Sequence, residues 1–373
     1  MNVTLLEAPG TTEPVGSRAP TPPPRPRRGP RRIRTFTADD WYSLVGSTAS
    51  SLALVVIGYG HLLDLSGPVG FAVCWYLVFV VVYATVVSIS NPRHIVVERL
   101  VTVTLWLAAA GVLGALGSTL VYTFVEGWHA IVHLNFFTHD MAGVSPTAPL
   151  NQGGILAAIV GTVIEVGIAV VVSVPLGIGT AVYMTEVGGR GSQLVRTVVE
   201  SMTALPEILA GLFVYVVLIV GFGLPKSGLA ASVAMAVTMI PIIARAGEVA
   251  LRVVPNGLRE ASAALGANHW NTVRKVVLPS ARAGLATATI LAVARGIGET
   301  AVVLITSGAS SFLTFNPTGE PMNSLPLYIY TAYTTHEPVA IARGFGAASV
   351  LLAMVLALFV VTRLLVRDKG GRR

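Results

Sequence analysis

Apolar residues fill long stretches of this chain, and the polar residues are gathered between them. Eight stretches are nearly free of charge and long enough, at roughly 20 residues each, to cross a bilayer as helices. They run over about 44–63, 68–90, 101–125, 154–183, 197–222, 228–246, 283–307 and 344–366. The pattern predicts an all-α polytopic membrane protein with about eight transmembrane helices. A β-barrel would show short alternating segments instead. Glu165 lies in the middle of the fourth predicted span, and Arg295 and Glu299 lie in the seventh.

Composition agrees, with 53% of the 373 residues hydrophobic and 12% charged, against about 25% charged in a soluble domain. In a soluble protein the net charge of +7 would point to nucleic acid. Its distribution points elsewhere. With the N-terminus inside, 22 of the 25 lysines and arginines fall on one side of the membrane, in the N-terminal arm, the 91–99, 186–196 and 245–282 loops and the C-terminal tail. The positive-inside rule then places both termini in the cytoplasm and accounts for the charge with no nucleic acid. The three cations outside this partition are Lys226, Arg343 and the intramembrane Arg295. Cys74 is the one cysteine, so neither a disulfide framework nor a metal cluster is expected.

The charge and turn pattern divides the chain. Residues 1–40 form a basic Pro/Arg-rich arm with Arg25, Arg27, Arg28, Arg31, Arg32 and Arg34. The arm lacks the apolar core of a signal peptide and is expected to be disordered, acting as an orientation signal or a lipid-headgroup contact. A helix pair occupies 41–100, and a further helix with an extracytoplasmic loop occupies 101–152. The main transmembrane domain covers 153–366 with a cytoplasmic loop at 248–282, and 367–373 is a cytoplasmic tail. The outer stretches 126–153 and 308–343 carry Trp128, Phe136, Phe137, Tyr328, Tyr330 and Tyr333, which read as an interfacial belt or as a dock for an outside partner.

The stretch 260–279, EASAALGANHWNTVRKVVLP, reads as two short helices with a break. Gly266 can take the left-handed conformation that ends the first. Asn268 or Asn271 can cap the second, and Pro279 marks the passage to the next span. Small residues at Ala261 and Ala264 permit close approach of another protein, flanked by Arg259, Arg274 and Lys275. No Gly-x-x-x-x-Gly-Lys-Ser/Thr phosphate loop occurs; Lys226-Ser227 comes nearest and has Pro225 where glycine is needed. The chain therefore carries no nucleotide engine of its own.

Glu260, Ala261, Ser262, Gly266, Val276, Leu278 and Pro279 keep the spacing of the Glu-Ala-Ala…Gly…Ile-x-Leu-Pro motif, and the segment resembles the coupling loop of ABC importer permeases. That resemblance implies a type I ABC importer core whose loop, through Glu260, Ala261, Gly266, Leu278 and Pro279, sits in a groove of the ATP-hydrolysing subunit. The run Ala294-Arg295-Gly296-Ile297-Gly298-Glu299-Thr300-Ala301, the run Pro241-Ile242-Ile243-Ala244-Arg245, and Ser324-Leu325-Pro326 resemble the signatures of phosphate permeases, the PstA branch more than the PstC branch. The resemblance covers roughly 101–366 and leaves the first two spans outside. Glu207 after Pro206, and Val302-Val303, depart from the family pattern.

The family implies a non-enzymatic permease subunit of an ATP-driven, high-affinity inorganic phosphate importer in the plasma membrane. The implied partners are a homologous PstC-like permease, two PstB-like cytoplasmic ATPase subunits that bind ATP and magnesium, a PstS-like extracytoplasmic binding protein and membrane lipid. No cofactor is expected in this chain. Arg295 and Glu299, four residues apart on one helix face, can pair. They form either a structural salt bridge or a guanidinium offered to a tetrahedral oxyanion and steadied by Glu299. Arg245 is a second cationic site toward the cytoplasm or a snorkelling side chain. Glu200 is expected to pair with Arg196 one turn away, and Glu165 has no local partner. Rival readings are a permease for sulfate, molybdate or phosphonate, an ion-coupled secondary transporter using Glu165, and a non-transporting scaffold or sensor.

Overall fold

The computed structural model describes residues 38–59 and 67–367. The expectations for the basic arm before residue 38, the turn at 60–66 and the tail after 367 lie outside the described residues. Every regular element among the described residues is a helix. Seven of them are long and apolar enough to cross a membrane, and a bent helix pair makes an eighth.

The chain divides into two compact units, with the boundary at Gly111 and Val112. In the first unit, α1 (Ala38–Ile57) packs on α2 (Pro68–Ser90), which is joined at once to α3 (Arg93–Ile131). Ser47 and Ser51 are buried, and small polar residues at a helix interface let backbones approach closely in a membrane. Phe79, Tyr83 and Val87 fill the space beside Leu44 and Leu100, and Arg99 forms an ion pair with Asp40. α3 is 39 residues long, about 58 Å at 1.5 Å per residue. It therefore absorbs most of the 91–99 loop expected before the third span.

The second unit is built on α5 (Leu156–Val182), α8 (Gly228–Arg252) and α11 (Leu278–Ile297), closed by α14 (Pro338–Arg367). Small residues set the packing. A Cβ on Gly177 would press on Ile243, and one on Gly284 would press on Ala250. Where lipid is as apolar as the protein interior, such close packing replaces the hydrophobic effect as the force between helices. Ala169, Ala231, Ala234, Met235, Met239 and Ala292 lie at the centre.

Two expected spans are not single helices. The fifth turns by 104° between α6 (Gly189–Ala204) and α7 (Glu207–Val214), which runs on as a π-helical segment Tyr215–Gly221. Pro206 forces the preceding residue out of the helical region, and Leu205 is extended, with ψ 134°. α6 itself is polar on one face, which an average over 197–222 conceals. The seventh span begins early, as a helical run from His269 to Ile297 made of α10 (His269–Thr272), a π segment Val273–Val277 and α11. It then breaks at residues 298–300 before α12 (Ala301–Thr306).

The outer segments are more ordered than a belt requires. In α4 (Asn135–Thr138) Phe136 is buried, and α13 (Leu325–Thr334) buries Tyr328. These two aromatics belong to the core rather than to an interfacial belt, whereas Trp128 and Tyr333 are exposed. Thr162 of α5 accepts a hydrogen bond from the Leu325 amide at 2.8 Å, and a Cβ on Gly161 would overlap the Asn323 carbonyl oxygen. Arg343 is 1% exposed and donates to the carbonyls of Pro146, Ala148, Pro149 and Gln152 at 2.8–3.3 Å. That explains a cation on the outer side of the charge partition: its donors close the outer loop onto α14.

Candidate functional site

The breaks in the fifth and seventh spans meet. α7 packs against α12, and Gly211 of α7 lies so close to Val302 that a Cβ would stand 3.0 Å from its Cα. Arg295 occupies the last turn of α11, where a cation complements the negative helix end. Glu299 lies in the break and Glu207 is the first residue of α7. The guanidinium of Arg295 forms an ion pair with Glu207 through Nη2, and its Nε lies 3.8 Å from Glu299 Oε1. Glu299 is buried, while the Arg295 side chain remains 58% exposed. A cavity of about 420 Å³ opens beside them, with Thr203, Thr238, Glu207 and Arg295 as its polar wall and Phe213 and Pro241 among its apolar residues.

Sequence spacing thus brings Arg295 and Glu299 together but misses Glu207. The signal was an acid directly after a proline inside an apolar stretch, read as a departure from a family pattern. Its partner lies far along the chain, beyond any local rule.

Arg245 is in a second cluster. Glu248 of α8, only 3% exposed, accepts hydrogen bonds from Arg245 at 2.9 Å and Arg252 at 2.7 Å, and pairs with Arg196 of α6 at 2.6 Å. Arg245 also pairs with Glu200 at 3.0 Å. The local Arg196–Glu200 pair expected from sequence is therefore replaced by two pairs that fasten α6 to α8. The polar face of α6 meets α8, so its charges find partners across the interface.

Glu165 is fully buried and accepts a 2.5 Å hydrogen bond from Ser307. Ser307 also lies 2.5 Å from the Met322 carbonyl. The side chain ties α5 to the outer loop.

The segment 260–279 follows its local chemistry. α9 (Asn256–Ala264) ends where Gly266 takes φ +81°. The amide of Gly266 donates to Ala263 O at 2.9 Å and that of Ala267 to Ser262 O at 3.2 Å, the paired bonds that close a helix on a left-handed glycine. Asn268 then caps α10, accepting from the Asn271 amide at 2.8 Å. Pro279 is the second residue of α11 and does not interrupt the helical run, which passes from π to α spacing just before it. Glu260 and Ala261 are exposed, and Leu265 and Trp270 are 89% and 61% exposed, an apolar surface on a charged loop.

Comparison with known proteins places this architecture. The family described as "Binding-protein-dependent transport system inner membrane component" matches residues 173–369. "Phosphate transport system permease protein PstA 1" of Mycobacterium tuberculosis (strain ATCC 25618 / H37Rv) is 39% identical over 247 residues, 64% of this chain and 80% of that protein. "Phosphate transport system permease protein PstA" of Haemophilus influenzae is 34% identical over 256 residues, 67% of this chain and 87% of that protein. Among solved structures, an inward-facing MetNI methionine ABC transporter chain is similar at 23% identity and a TM-score of 0.43, covering 57% of this chain and 93% of that one. With a family match over more than half of its length and relatives 34% and 39% identical aligned over most of theirs, this chain belongs to the inner-membrane components of binding-protein-dependent transport systems.

Proposed function

We propose that this chain is a PstA-type permease subunit of an ABC importer for inorganic phosphate. It forms half of the translocation pathway with a homologous PstC-like permease in the plasma membrane. An extracytoplasmic PstS-like protein delivers the anion, and two cytoplasmic PstB-like subunits bind and hydrolyse ATP with magnesium. This chain makes and breaks no covalent bond.

The relatives named as phosphate permeases support the reading, and one observation in the site carries it to residues. Arg295 offers a largely exposed guanidinium at the wall of a cavity where two helices break. Non-helical backbone at membrane depth is tolerated where it lines a pathway. A guanidinium matches two oxygens of a tetrahedral oxyanion. The flanking carboxylates of Glu207 and Glu299 add selectivity. They have only acceptor oxygens when ionised, so an anion that brings its own proton, such as hydrogenphosphate, can donate to them. Sulfate and molybdate bring none, and a site with unmatched acceptors rejects them. Glu207 also competes for Arg295, so the anion is held and released rather than trapped. Arg245, already shared between Glu200 and Glu248, stands as a second cation toward the cytoplasmic exit.

Uptake of labelled phosphate at micromolar concentration is the test, in cells lacking the gene and in the same cells with the chain restored. Restored uptake that excess sulfate and molybdate leave unchanged is expected. Arg295→Ala is expected to abolish uptake while the ATPase subunits still co-purify. Normal uptake by that variant would remove Arg295 from the pathway, and restored uptake of sulfate instead of phosphate would reassign the substrate.

A further inference from the structure

α9, the helix that presents Glu260 and Ala261, buries none of its own residues. A helix with no buried face has little packing to hold it against the body of the protein. One side chain ties it to the ends of α5 and α8. Arg259 reaches out of α9 to two other elements at once. It donates to the carbonyl of Val254 at 2.7 Å and that of Leu251 at 3.2 Å, at the end of α8 and just past it. It also donates through Nη2 to Glu186 Oε1 at 2.8 Å, with Nε 3.5 Å from Oε2. Glu186 lies in the π segment Tyr183–Val187 that extends α5, and its side chain is 5% exposed against 24% for Arg259. Beneath the pair, Ala181, Leu251, Val277, Ala281 and Leu285 pack into one cluster, so the ends of α5, α8 and α11 form a single block. On the other side, α9 is joined to α10 by the Ser262–Thr272 hydroxyl contact at 2.9 Å.

We propose that the Arg259–Glu186 pair is the strut through which displacement of α9 is transmitted to α5 and α8, a role that rests on the ABC-importer reading above. Its geometry suits a strut better than a surface ion pair. Both oxygens of Glu186 face the guanidinium edge, which fixes direction as well as distance, and the pair is half-buried or more, where water screens it less. α5 and α8 bear the helices that carry the cavity: α8 contributes Thr238 and Pro241 to its wall, and α5 is packed along α8. A push on α9 therefore has a direct path to the helices around Arg295. Arg259 and Glu186 are positioning residues, since neither lies on the cavity wall.

The test uses the full importer in proteoliposomes, with permease pair, ATPase subunits and binding protein, and reads ATP hydrolysed per phosphate imported. Glu186→Gln keeps the shape and removes the charge; Arg259→Lys keeps the charge and removes the fork. Both variants are expected to retain the ATPase subunits and to raise the ratio about tenfold, within the usual range of coupling between sites. A second readout needs no substrate. In a Cys74→Ser background, thiol labelling of Thr203→Cys at the cavity is expected to change on ATP binding, and Glu186→Gln is expected to remove that change. A wild-type ratio and wild-type labelling in both variants would overturn the strut. Loss of the ATPase subunits from both would also overturn it, because the pair would then hold a docking surface rather than pass on motion. If the unmutated complex neither imports phosphate nor shows nucleotide-dependent labelling, the importer reading fails and the strut falls with it. If it labels with nucleotide but imports no phosphate, only the substrate is wrong and the strut is still decided by labelling.

Discussion

Arg295 faces two carboxylates and remains more than half exposed. Such a cation is available to an anion only in competition with its own partners. Glu207→Gln removes the nearer competitor while keeping its size. The variant is expected to bind phosphate more tightly and to release it more slowly, lowering both KM and the maximal rate of uptake, the latter about tenfold. Initial rates against phosphate concentration check this, because a mutation that lowers both constants together has stabilised the bound ground state. Residues whose chemistry is local were legible in the sequence. Gly266 as a helix end and an asparagine cap at 268 or 271 depend on their neighbours within a turn; Gly266 stands as expected and Asn268 is the cap. Glu207 and Glu186 were not legible. Each answers to an arginine brought near only by folding, and Arg259 and Glu186 are 73 positions apart.

At the scale of elements, apolar length found every span but not its continuity. Pro206 was visible as a helix breaker, yet an average over a long window smoothed the polar face of α6 into the apolar run that follows. The break at 298–300 carries glycine and two polar residues, a weak local signal inside an otherwise apolar stretch. The segment 260–279 offers a sharper test. A Cβ on Gly266 would meet nothing within 4 Å, so substitution there is limited by backbone conformation alone. At φ +81° a β-branched residue is a genuine outlier, at a cost of about 1–2 kcal/mol for the left-handed region. Gly266→Val is expected to reduce both co-purification of the ATPase subunits and phosphate uptake. Gly266→Asn, which tolerates that region, is expected to lose far less; equal loss in both would assign the effect to the surface instead.

For the whole molecule, the charge partition and the helices agree on an even number of crossings only if the bent pair counts as one. The first two spans stand outside the stretch that resembles phosphate permeases, and the family match begins at residue 173. Because two crossings are removed together, deletion of residues 1–90 leaves α3 entering the membrane from the same side. The truncated chain is expected to insert in the same orientation and to support phosphate uptake in cells lacking the gene. Loss of uptake with normal insertion would assign the first unit a part in transport.

The elbow at Pro206 also sets a length. Beyond it, α7 has 8 residues and the π segment 7, about 22 Å at 1.5 Å per residue, against a hydrocarbon slab of about 30 Å. A crossing that falls short of the slab thins the bilayer beside it or leaves one end wet. A thinner low-dielectric layer beside Arg295 would lower the barrier that a charged solute meets there. The protein then has a preferred acyl-chain length. Transport in liposomes made from a series of phosphatidylcholines is expected to peak with the shorter chains and to decline as the bilayer thickens, while co-purification of the ATPase subunits stays constant. A flat response across the series would mean that the elbow shortens the helix without shortening the barrier.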